Sequence, residues 1–204
     1  MAMRNNIALP VIEHFPTIQG EGTHSGSAAY FIRLGGCDVG CHWCDIKESW
    51  PVDAHPKIKV DALVHCIIEA KMNTAVITGG EPTMHSLSEL TDSLHQHNIA
   101  CHIETSGTNN LTGQWDWVTF SPKKFKAPVD DFGKLASELK VIVFNKSDFE
   151  FAEHHALSVK ESCELYLQPE WDKRDEMMPL IVEYIKKHPK WKVSLQTHKY
   201  LNIP

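Results

Sequence analysis

Apolar residues recur along this chain with two alternating spacings, one typical of buried strands and one typical of amphipathic helices. The segment 28–34 (AAYFIRL) is a nearly continuous apolar run that ends at a Gly-Gly pair, which predicts a buried strand. Segment 60–71 has helical apolar spacing, and 74–78 (TAVIT) predicts the next strand. The alternation continues, with strands predicted at 99–104, 115–120, 139–144, 164–167 and 191–195 and helices at 86–97, 147–155 and 177–187.

Repeated strand–helix units predict an α/β fold whose parallel strands are joined by right-handed crossovers. Six or seven such strands within 204 residues are too few for a closed eight-fold barrel of ~250 residues. We therefore expect a partial (shortened) parallel β/α barrel, formed by a single domain over residues 1–204. Polar and glycine-rich segments follow most of the strands, so ligands are expected at the carboxyl edge of the sheet.

Composition narrows the class of protein. Hydrophobic residues make up 42% and charged residues 23%, as in ordinary globular domains, and the formal net charge of −6 argues against a nucleic-acid or membrane-surface partner. No apolar run reaches the ~20 residues of a membrane span, and segment 1–9 does not resemble a secretory signal, so a cytoplasmic protein is expected. Four of the thirteen histidines, at 95, 97, 154 and 155, lie on predicted helices or their ends and are expected to face solvent.

Three of the six cysteines lie close together in Cys37-Asp-Val-Gly-Cys41-His-Trp-Cys44. This C-x3-C-x2-C spacing follows a predicted strand, and its glycines let the backbone turn tightly around a metal cluster. Three thiolates can ligate three irons of a [4Fe–4S] cluster and leave the fourth iron open. An open iron can chelate an amine and a carboxylate, and S-adenosylmethionine carries both groups.

Zinc is the alternative metal for this segment, because zinc accepts three Cys with one His, and His42 lies within it. Zinc sites usually consist of two separated ligand pairs, and the sequence has no second pair. Cys66, Cys101 and Cys163 lie in or beside predicted helices and strands and are expected to be buried, unreactive thiols. A zinc-stabilised binding domain is therefore the non-enzymatic alternative.

Four further segments place polar groups at the ends of predicted strands. Gly79-Gly80-Glu81-Pro82 exposes backbone groups that can bond an amino group, although an ordinary strand-to-helix turn also explains it. The other three suit a ribose, a carboxylate or an adenine: Glu104-Thr105-Ser106-Gly107, Ser121-Pro122-Lys123 and Gln168-Pro169-Glu170. Each is an ordinary loop when taken singly, and their shared position at strand ends indicates one site.

Together these segments resemble the radical S-adenosylmethionine superfamily, in which C-x3-C-x2-C is followed by GGEP. Three more segments resemble the 7-carboxy-7-deazaguanine synthase family within it: Thr17-Ile-Gln-Gly-Glu-Gly22, Phe31-Ile-Arg33 and Gln196-Thr-His-Lys-Tyr-Leu-Asn202. The resemblance extends from about Glu13 to the last residue. A glycyl-radical-enzyme activase shares the cysteine spacing and is the enzymatic alternative, but it does not account for the Gln-Gly-Glu-Gly segment or the polar tail.

The resemblance implies a carbon–nitrogen lyase that converts 6-carboxy-5,6,7,8-tetrahydropterin to 7-carboxy-7-deazaguanine with loss of ammonia. This reaction belongs to the biosynthesis of queuosine and other 7-deazapurines, chiefly for modified tRNA. The implied cofactors are a [4Fe–4S] cluster and S-adenosylmethionine, with Mg²⁺ as a further ion in the family. The implied partners are the pterin substrate, an electron donor such as flavodoxin, and a second copy of the chain in a homodimer.

Carried over by position, the resemblance assigns residues to each ligand. Cys37, Cys41 and Cys44 bind the cluster. Glu104 is the candidate catalytic carboxylate by its place at a strand end, with a ribose contact or a turn cap as alternatives. The implied substrate contacts are Ile18, Gln19, Gly20, Arg33, Thr78 and Pro204. The implied cofactor contacts are Trp43, Cys44, Asp45, Gly80, Ser121, Pro122, Lys123, Gln168, Pro169, Glu170 and Trp171.

One position departs from the family pattern. The family has Cys-Asp-Thr at the end of the cluster segment, where the threonine hydroxyl ligates Mg²⁺, and this chain has Cys44-Asp45-Ile46. Isoleucine has no oxygen to offer a hard cation. The sequence therefore lacks the side-chain ligand for Mg²⁺ here, and the ion would depend on substrate oxygens and water.

Overall fold

The computed structural model describes residues 7–204 and contains one nine-stranded sheet. Its strands are β1 (Ala8–Ile18), β2 (Ala28–Leu34), β3 (Lys57–Lys59), β4 (Thr74–Gly79), β5 (Ala100–Thr105), β6 (Trp117–Phe120), β7 (Glu138–Val143), β8 (Glu164–Pro169) and β9 (Trp191–Val193). Their order is β3-β1-β2-β4-β5-β6-β7-β8-β9. The pairs from β2 to β9 are parallel, and β1 is antiparallel to both of its neighbours. With β3 and β9 at its two edges the sheet is open, which confirms the predicted partial barrel.

Five α-helices accompany the sheet in the described part of the chain: α1 (Val60–Glu69), α2 (Ser88–Gln96), α3 (Ser147–Ala156), α4 (Arg174–Lys187) and the short α5 (Thr197–Leu201). Helix α2 connects β4 to β5, α3 connects β7 to β8, and α4 connects β8 to β9. These are the strand–helix units that the sequence predicts. Across residues 7–204, none of the helices combines the length and the apolar character that crossing a bilayer would require.

The core lies between the outer face of the sheet and helices α1 to α4. Ile32 and Leu34 of β2 and Ile103 of β5 are fully buried in it. Because successive side chains of a strand point to opposite faces, Arg33 and Glu104 point to the inner face of the barrel. Burial of the apolar set, worth roughly 25 cal/mol per Å², thus fixes which polar side chains face the interior.

Most predicted elements are present, with ends displaced by no more than three residues. The expected number of strands was too low, because β1 and β3 were not predicted. Strand β1 contains Pro10 and Pro16 and has Glu13 beside His14, so no strand period stands out in its sequence. The tail 196–202 was expected to be a polar motif, and its centre forms helix α5.

Candidate active site

A cavity of about 940 Å³ lies inside the partial barrel at the carboxyl ends of its strands. The cavity is lined by the cysteine segment, by the loops that contain Glu81 and Glu104, and by the C-terminal residues. The sequence predicted that its motifs would meet at this edge of the sheet. The predicted site residues that line it are Gln19, Arg33, Cys37, Cys41, Trp43, Cys44, Asp45, Ile46, Thr78, Gly80, Glu104, Ser121, Lys123, Gln168, Pro169, Glu170, Trp171 and Pro204.

Three predicted contacts do not line this cavity: Ile18, Gly20 and Pro122. Ile18 is the last residue of β1, and its side chain is exposed. The carbonyl of Gly20 accepts hydrogen bonds from the backbone N–H of Thr197 at 2.9 Å and from its hydroxyl at 2.7 Å. The structure therefore places Gly20 as an attachment point for α5, and Pro122 between two residues that do face the cavity.

The cysteine segment is held against the GGEP loop. The backbone N–H of Gly36 donates to the carbonyl of Ser49 at 2.7 Å, and the N–H of Glu81 donates to the carbonyl of Gly36 at 2.7 Å. A Cβ at Gly80 would lie 2.1 Å from the Gly36 carbonyl oxygen. Only glycine lets the two loops approach this closely, so the second glycine of GGEP is required by packing as well as by any ligand.

The spacing of possible ligands separates an iron–sulfur cluster from zinc. In residues 7–204, the His, Cys, Asp and Glu ligand atoms that all lie within 4.8 Å of one another belong to His95, Cys101 and Asp116, so at least one pair of the motif thiols is farther apart than 4.8 Å. Thiolates on one tetrahedral zinc lie about 3.8 Å apart. Cubane ligands bind different irons, so three thiols that line one cavity without meeting at a single point fit a [4Fe–4S] cluster.

Two of the motif thiols, those of Cys37 and Cys41, are unusually hard to ionise. Burial raises the pKa of the Cys37 thiol and raises the pKa of Cys41 to about 11. Metal ligation requires thiolates, so cluster binding must displace protons from these groups. Ile46 also lines the cavity, and its hydrocarbon side chain offers no oxygen where the resemblance implies a Mg²⁺ ligand.

His42 and Trp43 pack on the loop that follows Ser121-Pro122-Lys123. The Phe125 ring lies 5.2 Å from the His42 ring and 5.9 Å from the Trp43 ring, edge-on to both. The His42 ring also meets Phe144 edge-on at 5.3 Å. These contacts give His42 a packing role in the wall of the cavity rather than that of a fourth zinc ligand.

Glu81 joins the GGEP loop to the loop after β5. Its carboxylate is 1% exposed and accepts hydrogen bonds from the backbone N–H and hydroxyl of Thr83, at 3.1 and 2.6 Å. It also accepts the hydroxyl of Thr105, and the N–H of Ser106 at 2.8 Å together with that residue's hydroxyl. A buried carboxylate is costly unless its oxygens accept hydrogen bonds. Since the donors to Glu81 come from both loops, the network holds the two loops together. A single 3₁₀ turn then begins at Pro82, as the turn interpretation predicted.

The loop after β6 orients its lysine by local bonds. The Lys123 ammonium donates to the carbonyl of Ser121 at 2.6 Å and to its hydroxyl at 2.7 Å. Burial lowers the pKa of Lys123 below its usual value. On the other side of the cavity, the Gln168 side-chain oxygen accepts the hydroxyl of Ser194 at 2.6 Å. Both side chains are thus held in place before any ligand binds.

The floor of the cavity contains a charge network that the sequence analysis missed. The buried Lys140 of β7 donates to Oε2 of Glu104 at 2.9 Å and to Glu21, and Oε1 of Glu104 accepts the side-chain amide of Gln19 at 2.9 Å. Burial opposes the charge on Lys140, but Glu104, Glu21 and Glu138 outweigh it and raise its pKa. Burial alone would raise the pKa of Glu21, and Lys140 lowers it overall. The sequence signal that could have revealed this network is a lysine within the otherwise apolar segment 139–143 of β7.

The Gln-Gly-Glu-Gly segment connects β1 to the opposite side of the barrel. The N–H of Gly22 donates to the Ser194 hydroxyl at 3.0 Å, and the N–H of Thr23 donates to Glu138 at 2.8 Å. Gly22 has a φ of +63°, and a Cβ there would lie 2.1 Å from a Glu138 oxygen. The glycine is therefore required for the loop to cross the barrel.

Arg33 and helix α5 complete the cavity wall. The Arg33 Nε lies 2.9 Å from a Glu13 carboxylate oxygen, as an ion pair without hydrogen-bond alignment. Lys199 of α5 lies 3.2 Å from the Asp45 carboxylate and 4.8 Å from the centre of the Trp171 ring. Helix α5 therefore links the cysteine segment to the loop after β8. Burial lowers the pKa of His198, a further cavity-lining residue on this helix.

Comparisons with known proteins agree with this arrangement. The Radical SAM superfamily model matches residues 31–120, which contain the three cysteines and GGEP. The 7-carboxy-7-deazaguanine synthase of Flavobacterium psychrophilum is 54% identical over all of this chain and 97% of its own, and that of Synechocystis sp. is 48% identical over 97% of this chain and 94% of its own. The crystal structure of QueE from Escherichia coli is similar with a TM-score of 0.82 at 31% identity, covering 92% of this chain and 93% of that one.

Matches at this identity extend over nearly the full length of both chains and include the cavity described above. They do not favour a glycyl-radical-enzyme activase or a zinc-stabilised binding domain. The chain therefore belongs to the 7-carboxy-7-deazaguanine synthase family of the radical S-adenosylmethionine superfamily.

Proposed function

We propose that this chain converts 6-carboxy-5,6,7,8-tetrahydropterin to 7-carboxy-7-deazaguanine with loss of ammonia, as a step in queuosine and 7-deazapurine biosynthesis. The observation that carries the proposal is one cavity with three cysteines on its wall and a carboxylate-rich floor. Membership of the superfamily implies a [4Fe–4S] cluster and S-adenosylmethionine. When bound and reduced, the cluster supplies the electron that splits S-adenosylmethionine and so starts the reaction.

The wall of the cavity would hold the cluster and S-adenosylmethionine. Cys37, Cys41 and Cys44 supply three thiolates. Gly80 lies beside Cys37, and its backbone would bond the amino group of S-adenosylmethionine. Hydroxyl, ammonium, amide, carboxylate and aromatic groups around the cavity suit the carboxylate, ribose and adenine of S-adenosylmethionine; they belong to Trp43, Asp45, Ser121, Lys123, Gln168, Glu170 and Trp171.

The floor of the cavity would hold the pterin. Glu21 and Glu104 are carboxylates that accept hydrogen bonds, and the pterin ring presents an edge of N–H donors. Arg33, held by Glu13, faces the cavity and can pair with the substrate carboxylate. Gln19 and Lys140 donate to the two oxygens of Glu104, so this side chain would act as an oriented hydrogen-bond acceptor for the substrate. The remaining proposed contacts are Gln19, Thr78 and Pro204, all of which line the cavity.

We propose that no side chain at position 46 binds Mg²⁺ in this chain, because Ile46 stands where the family has a ligating threonine. Activity should fall only modestly when a chelator is added, and Ile46→Thr should increase the affinity for Mg²⁺. Complete loss of wild-type activity with the chelator, together with tight Mg²⁺ binding, would show that other oxygens replace the hydroxyl.

Two partners are proposed from the family resemblance. An electron donor such as flavodoxin should reduce the cluster, which bleaching of its visible absorbance would report. The chain should sediment as a homodimer. A cluster that reduced flavodoxin leaves oxidised, or a chain that sediments as a monomer at micromolar concentration, would contradict the respective proposal.

The decisive test replaces each cysteine in turn. Cys37→Ala, Cys41→Ala and Cys44→Ala should lose the cluster and the formation of 5′-deoxyadenosine, because three thiolates are the minimum that leaves one iron open. Cys66→Ala and Cys101→Ala are the matched controls and should keep both. Iron and sulfide are measured after anaerobic reconstitution, and 7-carboxy-7-deazaguanine is measured after turnover with the pterin.

Two results would overturn the proposal. Full iron content with 5′-deoxyadenosine formation in any of the three variants would reject the cluster ligands. Absence of 7-carboxy-7-deazaguanine from cluster-loaded wild-type protein, supplied with the pterin, S-adenosylmethionine and a reductant, would reject the substrate.

A further inference from the structure

Lys140 places a cation in the floor of the cavity with its side chain only 3% exposed. It lies within β7, between the buried residues Leu139 and Val141. Removing an ammonium group from water costs several kcal/mol unless partners compensate for it. An apolar residue at this position would avoid the free-energy cost of burying a charge, so the lysine must be stabilised by its partners.

The partners of Lys140 come from two different elements and both face the cavity. Glu21 lies in the loop after β1, and Glu104 lies near the end of β5. Gln19 donates to the other oxygen of Glu104. One ammonium therefore fixes the positions of two carboxylates that no direct bond connects.

Other charges face this group from the surrounding elements. Glu138 lies two residues before Lys140 on β7, and burial raises the pKa of its carboxyl. Lys123 faces the network from the loop after β6. His198 faces it from α5, and Arg33 lies near His198 on β2. The Lys140 ammonium contacts the carboxylates of Glu21 and Glu104, and the charge of Glu138 also acts on it. Without that ammonium, buried carboxylates of like charge would take up a proton.

We propose that Lys140 is a positioning residue for the pterin: it holds the carboxylates of Glu21 and Glu104 aligned as hydrogen-bond acceptors for the N–H donors of the substrate. The proposal rests on the proposed function, which identifies that substrate. Lys140 acts through the two carboxylates, so its removal affects pterin binding. S-adenosylmethionine is bound on the cavity wall and should be affected little.

The effect on pH dependence has a definite sign. In the wild type, burial would raise the pKa of Glu21 but Lys140 lowers it overall, so the carboxylate stays ionised to a lower pH than that of an ordinary glutamate. Without Lys140, burial is no longer opposed, and the carboxyl ionises only at higher pH. The acid limb of kcat/KM for the pterin should therefore move to higher pH, and alkaline conditions should restore part of the loss.

The test compares Lys140→Met, which keeps the chain length without the charge, with Lys140→Arg, which keeps the charge. Lys192→Met is the matched control, since Lys192 pairs with Glu164 on the neighbouring strand at an exposed position. In cluster-loaded protein we expect Lys140→Met to raise the KM for the pterin at least about tenfold at neutral pH. The KM for S-adenosylmethionine should stay within about twofold, and Lys140→Arg should recover most of the loss.

Unchanged pterin KM and pH profile in Lys140→Met would overturn the proposal. Equal losses for pterin and S-adenosylmethionine, without rescue by Lys140→Arg, would also overturn it and leave a structural role. If Lys140→Met does not fold, Lys140→Met/Glu138→Gln removes one of the crowded carboxylates and is tested by the same measurements. If the wild type makes 7-carboxy-7-deazaguanine and Lys140→Met behaves like it, only the proposal for Lys140 is rejected. If the cluster-loaded wild type makes no 7-carboxy-7-deazaguanine, the proposed function is rejected as well.

Discussion

At the scale of the residue, His155 shows how burial sets chemistry away from the active site. It lies on α3 and is 7% exposed. Its ring meets the rings of Phe120 and Phe151 edge-on, at 5.6 and 4.5 Å. Burial lowers the pKa of His155 to about 4. The folded protein therefore keeps this imidazole neutral at pH values where an exposed histidine is protonated.

We expect the free energy of unfolding to fall as the pH drops from about 6.5 towards 4, because His155 takes up a proton in the unfolded chain before it does so in the folded one. His155→Leu should reduce this loss by roughly 1–3 kcal/mol. Urea unfolding at several pH values measures the effect. The exposed His97→Leu is the matched control and should keep the wild-type slope. A wild-type slope in His155→Leu would contradict the prediction.

At the scale of the element, Asp38 fastens the cysteine segment to the loops after β5 and β6. Its carboxylate accepts the hydroxyl of Thr108 at 3.1 Å, the side-chain amide of Asn109 at 3.1 Å, and the ammonium of Lys126. Burial alone would raise the pKa of Asp38, and these donors lower it overall. Since Asp38 follows Cys37 directly, these bonds restrict the loop that carries the cluster ligands.

Asp38→Ala should loosen this loop and weaken retention of the cluster. Loss of the charged acceptor should cost about 1–3 kcal/mol of loop anchoring, which corresponds to a loss of iron that is faster by roughly 5-fold to 150-fold. The measurements are iron content after reconstitution and the rate of bleaching in air. Asp130→Ala, at an exposed position, serves as the control. Equal bleaching rates in the two variants would show that the loop holds its shape without Asp38.

At the scale of the whole molecule, the C-terminal segment closes the cavity of an open barrel. Ile203 and Pro204 line the cavity, and the Thr17 hydroxyl donates to the Pro204 backbone oxygen at 3.3 Å. Neither residue belongs to the buried core. The segment therefore contributes to the binding surface, whereas the barrel is stabilised by β1 to β9 and the helices on its outer face.

A variant that ends at Asn202 should keep its cluster and unfolding midpoint but bind the pterin about fivefold or more weakly, through lost contacts on the cavity wall. Steady-state KM values for the pterin and for S-adenosylmethionine measure this, and only the former should rise. Leu201→Ala is the control, because Leu201 is exposed and does not line the cavity. A wild-type pterin KM in the shortened chain would assign the segment no part in binding.

The sequence by itself determined the α/β class, most of the strands and helices, the cysteine segment and the family. These features are local: apolar periodicity is set by neighbouring residues, and the spacing of Cys37, Cys41 and Cys44 lies within one loop. The family segments are local as well, so a single chain was enough to identify them. The similarity to known 7-carboxy-7-deazaguanine synthases confirms that identification.

Only the tertiary structure decided which distant residues meet. Lys140 lies 119 positions from Glu21 and 36 from Glu104, so no local pattern relates the three. Helical periodicity placed His155 on a helix but did not show that Phe120 of β6 would cover it, so the predicted solvent exposure was wrong. Strand β1 owes its conformation to pairing with β2 and β3, which supplies the hydrogen bonds that its own sequence does not predict.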